Sequence, residues 1–358
     1  MKLPEGNAVV YCEGAFNTPN GKTAHGLVRF TKRYNVIAVI DKKYSGKDAG
    51  KTLDNKPNGI RICSNLDTAI KLASRQKLKL SHFVIGIAPD GGRLSSTARD
   101  DVKYAITKGL NIDSGLHDFL SEDESIVKLA KEYKVQIRDI RKPLTRDKLH
   151  FFEGKIEKVN SFKIALLGTD SAVGKRTTAW VLVNGLHKSK IKAELIGTGQ
   201  TAWMQGAKYS IVLDSIVNDF VSGEIEHAVY QAWKNEKPEV IVIEGQGSLM
   251  NPAYPGGFEI LAAGRPDAII LQHAPARKEY DGFPGYPLHP LAHQIKVMED
   301  LSGKPVIAIA INHEDIPYEK IDSICETMEA VIGLPVVDVL TQGEKRLVEL
   351  IKSKLKRK

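Results

Sequence analysis

Cysteine is nearly absent: Cys12, Cys63 and Cys325 are the only three in 358 residues, widely spaced and with no C-x-x-C pair. That leaves no basis for a disulfide framework, a zinc knuckle or a redox dithiol, and the three are read as buried thiols. Long apolar runs are missing too. No stretch approaches the ~20 uninterrupted apolar residues of a membrane helix, and Met1-Lys2-Leu3-Pro4-Glu5-Gly6 lacks the core of a signal peptide. A soluble cytoplasmic protein without a membrane partner is expected. Neither a G-x-G-x-x-G dinucleotide fingerprint nor an H-E-x-x-H zinc motif occurs, and lysines do not alternate with aromatics as in nucleic-acid binders, so no nucleic-acid partner is expected.

What is present is ordinary globular material, 42% apolar and 26% charged, in a chain long enough for two cores. The net charge of +8 is uneven. Residues 1–150 hold 27 basic and 17 acidic side chains, and the remainder 24 and 26. The basic excess of the first part suits a small anionic substrate as well as a solvated surface. The terminal Lys352 to Lys358 run reads as a basic helix end.

Short apolar runs alternating with helical segments predict α/β architecture with parallel sheets. In the first 150 residues strands are predicted at Asn7 to Cys12, Val36 to Asp41, His82 to Ile87 and Gln136 to Ile140. Helices are predicted at Thr23 to Arg33, Thr97 to Lys108 and Glu124 to Tyr133. This is a Rossmann-like domain over 1–150. After a break around Pro143 and Phe151-Phe152, a second series over 151–358 has strands at Lys163 to Leu167, Ala193 to Gly197, Val240 to Ile243, Ala268 to Gln272 and Val306 to Ile311. Its architecture is that of a three-layer P-loop domain.

The chemistry concentrates where Phe162-Lys-Ile-Ala-Leu-Leu-Gly168-Thr-Asp-Ser-Ala-Val-Gly174-Lys175-Arg176-Thr177-Thr178 passes from strand through loop to helix. Glycines open backbone conformations in which successive N–H groups face an anion, and the helix adds the positive end of its dipole. Gly168, Thr169, Asp170, Gly174, Lys175, Arg176, Thr177 and Thr178 are therefore the predicted cofactor-binding set. Two departures from G-x-x-x-x-G-K-[ST] matter. Five residues separate the glycines, a form similar to that of dethiobiotin synthetase, and Arg176 replaces the usual magnesium-binding hydroxyl. Anion binding survives both, but Thr177 lies about 100° round the helix from the expected direction.

Downstream, Val240-Ile-Val-Ile-Glu244 is a buried strand ending in a carboxylate at the edge where α/β ligands bind. Glu244 is a predicted catalytic residue or, with Thr177, a magnesium ligand. Gly197-Thr198-Gly199-Gln200-Thr201 forms a second loop at that edge, with Gln200 as a substrate contact. In the first domain Arg93, after Pro89-Asp90-Gly91-Gly92, is a predicted substrate cation, and His117 of Gly115-Leu116-His117 a second predicted base. Gly14 to Thr23 imitates a P-loop imperfectly because of Pro19, and Asp41 stands where dinucleotide folds hold a ribose. The segment His273 to His293, rich in proline and aromatics, reads as a mobile lid in preference to a His289/His293 metal site.

Taken together, these residues resemble the D-glutamate N-acetyltransferase-like family, long catalogued as a domain of unknown function. The likeness is carried by Lys22-Thr23-Ala24-His25-Gly26-Leu27, Ser114-Gly115-Leu116-His117, the P-loop with Arg176, Gly197 to Thr201, Asp219-Phe220-Val221-Ser222-Gly223 and Glu244-Gly245-Gln246-Gly247. The resemblance implies a Rossmann-like domain joined to a P-loop domain and transfer of acetyl from acetyl-CoA to an acidic amino acid such as D-glutamate. CoA carries a pyrophosphate and a 3′-phosphate, which Lys175 and Arg176 could hold without hydrolysis. The alternatives are a ligase using ATP or GTP with magnesium, a nucleotide sensor without catalysis, and an NAD-dependent oxidoreductase. A homo-oligomer is expected.

Overall fold

The computed structural model describes residues 3–356, apart from the side chain of Asp90. Contacts divide them into two compact units, residues 3–143 with 200–206 and residues 144–199 with 207–356. The sequence places the division at 150; in the structure the break follows Pro143, and a short piece of the later sequence belongs to the first unit.

The first unit runs β1 (Gly6–Tyr11), α1 (Lys22–Arg29), β2 (Tyr34–Ile40), α2 (Ala49–Asp54), β3 (Arg61–Cys63), α3 (Leu66–Arg75), β4 (His82–Ile85), α4 (Ser96–Thr107), β5 (Asn111–Ser114), α5 (Glu124–Glu132) and β6 (Ile137–Asp139). All six strands are parallel in the order β3-β2-β1-β4-β5-β6, the order of dinucleotide-binding folds. α1 stops four residues earlier than its sequence predicts, because Phe30 turns extended and Arg33 N donates to the Thr31 hydroxyl at 3.0 Å. β5 is polar, Asn-Ile-Asp-Ser, and escapes sequence reading. It is held by Arg138, whose guanidinium donates to both oxygens of the buried Asp113, and by Tyr34, whose hydroxyl donates to Asp113 at 2.6 Å.

The second unit runs β7 (Phe162–Gly168), α6 (Lys175–Lys188), β8 (Ala193–Gly197), β9 (Tyr209–Ser210), α8 (Asn218–Glu236), β10 (Val240–Glu244), α9 (Phe258–Gly264), β11 (Ala268–His273), α10 (Leu291–Ser302), β12 (Val306–Ile311), α11 (Ile321–Ile332), β13 (Val336–Val337) and α12 (Lys345–Leu355). Helix α7 (Gln200–Met204) lies between β8 and β9 in sequence but packs in the first unit, where Thr23 and Thr201 hydroxyls meet at 3.0 Å and Gln205 donates to Gly26 O at 2.8 Å. The parallel sheet is ordered β13-β12-β11-β7-β10-β8-β9. Every residue of β7, β10, β11 and β12 is buried, as their largely apolar runs suit strands covered on both faces, with Lys163, Glu244, Gln272 and His273 as the buried polar exceptions. β7 is central, between β11 and β10, so its C-terminal end opens at mid-sheet.

All three cysteines are buried, and burial raises their thiols, Cys325 to about 11. Among the described residues no helix is long and apolar enough to cross a membrane. The basic C-terminal run begins as the last turn of α12, and Arg357 and Lys358 lie outside the described residues.

The first turns of α8 explain the Asp219 to Gly223 motif. Glu224 accepts from His150 N at 2.6 Å, and Glu226 accepts from Glu153 N and Ile156 N, so the helix holds the chain that leads into β7. A Cβ on Gly223 would lie 2.0 Å from the His150 carbonyl oxygen. Gly223→Ala is expected to destabilise the protein by roughly 2 kcal/mol through forced backbone displacement. Urea denaturation checks this, and an unchanged midpoint would contradict the close approach.

Candidate functional site

The loop from Gly168 to Lys175 is built around close approach. Gly174 (φ 104°) and Ala172 (φ 52°) are left-handed, and α6 begins without a side-chain cap. A Cβ on Gly168 would sit 2.9 Å from Lys175 Cδ and Nζ, and one on Gly245 would sit 2.5 Å from Leu166 O. These glycines let the Lys175 side chain lie across the strand end, where its Nζ donates to Asp170 O and Gly247 O, each at 2.7 Å. Uncapped helix start, bent loop and lysine together have the chemistry to hold an anion, a candidate cradle.

Three residues expected to touch the cofactor do other work with their side chains. The Thr178 hydroxyl donates to Gln272 Oε1 at 2.6 Å, and Thr169 pairs with His273 Nδ1 at 2.9 Å. Asp170 is fully buried with both carboxylate oxygens engaged. Oδ1 accepts from Ser171 N and Asn251 Nδ2, and Oδ2 from Arg277 NH1 at 2.7 Å and Asp281 N at 2.8 Å. Gly168, Gly174, Lys175, Arg176 and Thr177 remain as the cradle, with Arg176 and Thr177 half-buried.

Glu244, at the end of β10, is buried. Burial raises its carboxyl above the ordinary range, opposed by the charge of Arg176, by the Thr198 N–H that donates at 3.0 Å, and by Lys175. The loop after β8 is joined to this edge, since Thr198 Oγ1 donates to Glu244 O and Gln246 Nε2 donates to Thr198 O. Gln200, the next residue along that loop, groups with the first unit, buried against Gly115, where a Cβ would lie 2.5 Å from its Cγ.

The segment read as a lid is a hairpin fastened to the loop. Tyr280 N donates to Tyr286 O, Leu288 N to Lys278 O, and the Tyr280 hydroxyl pairs with His289 Nδ1 at 2.8 Å. Arg277 joins Asp170, Ser171 O and Glu314. Sequence reading missed Asn251, Arg277 and Asp281, since neither glycine pattern nor apolar period marks them.

In the first unit, Arg93 and His117 line one cavity of about 480 Å³ with Arg99, Asp118 and Asp123. His117 N and Asp118 N donate to Gly92 O, and Gly91 and Gly92 are both left-handed. Arg99 is paired with Asp118 and Asp123. The imitation P-loop is no cradle, because its N–H groups at Ala15, Phe16, Thr18 and Gly21 donate to the turn's own carbonyls. Asp41 accepts from Phe16 N and Lys43 N, so the carboxylate that dinucleotide folds give to a ribose is engaged here by backbone.

Fold and loop define a two-domain α/β protein with a P-loop. Residues 150–348 match the domain of unknown function DUF1611, C-terminal P-loop domain, and residues 42–143 its N-terminal Rossmann-like domain. The chain belongs to the DUF1611 family. A D-glutamate N-acetyltransferase of Pseudoalteromonas is 30% identical over 81% of this chain and 87% of its own length. One of Tritonibacter scottomollicae is 29% identical over 75% and 80%. A DUF1611 family protein of Anabaena variabilis superposes with a TM-score of 0.87 at 24% identity, over 98% of this chain and all of that one.

Burial, reinforced by the Arg277 charge, pushes the His273 imidazole down to about 4 from 6.5. The folded state thus disfavours its protonation. Stability from this group is complete above pH 6.5 and is lost as pH falls to 4, by about 3 kcal/mol. Urea midpoints at pH 7 and 4.5 are expected to differ less in His273→Asn than in the wild type; equal acid sensitivity would contradict this.

Proposed function

We propose that this protein is an N-acetyltransferase that moves acetyl from acetyl-CoA to the amine of an acidic amino acid such as D-glutamate, with the P-loop gripping the cofactor phosphates. The observation that carries the reading is the pairing of Lys175 with Arg176 at the start of α6, while the Thr178 hydroxyl is committed to Gln272. Two adjacent cations at a helix start suit a pyrophosphate and do not require a magnesium-binding hydroxyl. The buried Ser248 hydroxyl, without a hydrogen-bond partner among the described residues, also fits a polar ligand here. The names of the two relatives support acetyl transfer.

Acetyl-CoA, when bound, supplies an activated acyl group. The acceptor amine must shed a proton before it attacks, so a base is needed. Glu244 is the first choice because burial raises its proton affinity, and His117 the second. In the first unit Arg93 is the candidate cation for an acidic substrate, since Arg99 beside it is already paired with Asp118 and Asp123. A cytoplasmic homo-oligomer acting on a small anionic substrate completes the reading. A second reading, a ligase using ATP or GTP with magnesium on Thr177 and Glu244, draws on the position of Glu244 at the end of β10.

Free thiol released from acetyl-CoA with D- or L-glutamate is the direct assay. Lys175→Ala is expected to raise KM for acetyl-CoA roughly tenfold to hundredfold, the value of a charged hydrogen bond. No thiol release with any acidic amino acid, or turnover appearing only with magnesium and a nucleoside triphosphate, would overturn the assignment.

A further inference from the structure

Two loops hang from the one carboxylate of Asp170. Through Oδ1 it holds Asn251 Nδ2 at 2.8 Å, and Asn251 Oδ1 in turn accepts from Tyr254 N at 2.8 Å. Through Oδ2 it holds Asp281 N at 2.8 Å, two residues before Phe283. The aromatic rings at the ends of these arms meet. Tyr254 and Phe283 stand edge to face at 6.1 Å, and Phe283 and Tyr286 likewise at 6.4 Å. Tyr254 is 54% and Tyr286 55% exposed, so neither ring serves chiefly to fill the core.

The tyrosine arm is shaped to stay there. Gly247, whose carbonyl takes the Lys175 ammonium, is left-handed, and a Cβ on it would lie 2.0 Å from Tyr254 O. Ser248 N donates to Tyr254 O and Gly256 N to Ser248 O, closing the loop on itself. Two polypeptide arms are thus fastened to the P-loop and bring the exposed Tyr254 and Tyr286 rings against the half-buried Phe283.

We propose that Tyr254, Phe283 and Tyr286 form a stacking platform for the purine of the ligand whose phosphates the P-loop holds. This rests on the reading of the P-loop as a phosphate cradle. A purine joined to a pyrophosphate carries its base only a sugar's length from the anion, and these rings share the Asp170 anchor with the cradle. Stacking is indifferent to the rest of the ligand, so the platform serves CoA or a nucleoside triphosphate.

Calorimetric binding to the full chain, without acceptor, tests it with paired probes: CoA against 4′-phosphopantetheine, and ATP or GTP against tripolyphosphate. Tyr254→Ala and Phe283→Ala are each expected to weaken the purine-bearing probe about tenfold and leave its base-free partner unchanged. Phe283→Tyr should bind as the wild type. The pair that responds identifies the source of the purine. Equal weakening of both members of a pair, or no weakening while Lys175→Ala abolishes binding, overturns the platform and leaves the cradle standing. A change in assembly size at unchanged affinity overturns it in favour of an interface between copies. Absence of any wild-type binding overturns the cradle as well.

Discussion

The buried carboxylate of Asp170 organises the second unit's binding edge. A carboxylate removed from water must be matched by donors, and here four provide the match: two backbone N–H groups, an amide and a guanidinium. Because those donors come from the P-loop itself, from the loop after β10 and from the hairpin after β11, satisfying one charge fixes three segments at once. The cradle's geometry follows from this. With the Asp170 side chain engaged, its carbonyl and that of Gly247 receive the Lys175 ammonium at the strand end.

The two sheets show how little strand order says about ligands. The first unit has the order of a dinucleotide-binding fold, yet its β1–α1 turn satisfies its own N–H groups and its β2 carboxylate grips the Phe16 backbone. The second unit places an open loop after its central strand, where Gly168 and Gly245 clear room for a lysine. The difference lies in a few side chains at the strand ends. In the first unit, Arg93 and His117 line a cavity with Arg99, Asp118 and Asp123.

The strands β7, β10, β11 and β12 were legible in the sequence because burial on both faces makes them predominantly apolar, with buried polar residues mostly at their ends, Glu244, Gln272 and His273 among them. β5 was not, since Asp113 is tolerated in a core strand only through Arg138 and Tyr34, which no local pattern links to it. Nor was the placement of Gln200 with the first unit, because helix α7 directly follows β8 in sequence while its partners, such as Thr23, lie far earlier. At the site, glycine spacing and Lys175 announced the cradle. Asp170 was assigned to the cofactor because its donors Asn251, Arg277 and Asp281 come 81 to 111 residues later.

The central claim is that this loop holds a pyrophosphate with two cations and a helix start, without needing a metal. Phosphorus NMR of CoA mixed with the protein in the presence of a chelator tests it most directly. The account predicts that the pyrophosphate resonances shift or broaden with the wild type and stay at their free positions with Lys175→Ala. Resonances that respond only when magnesium is restored, or that respond equally in the variant, would contradict it.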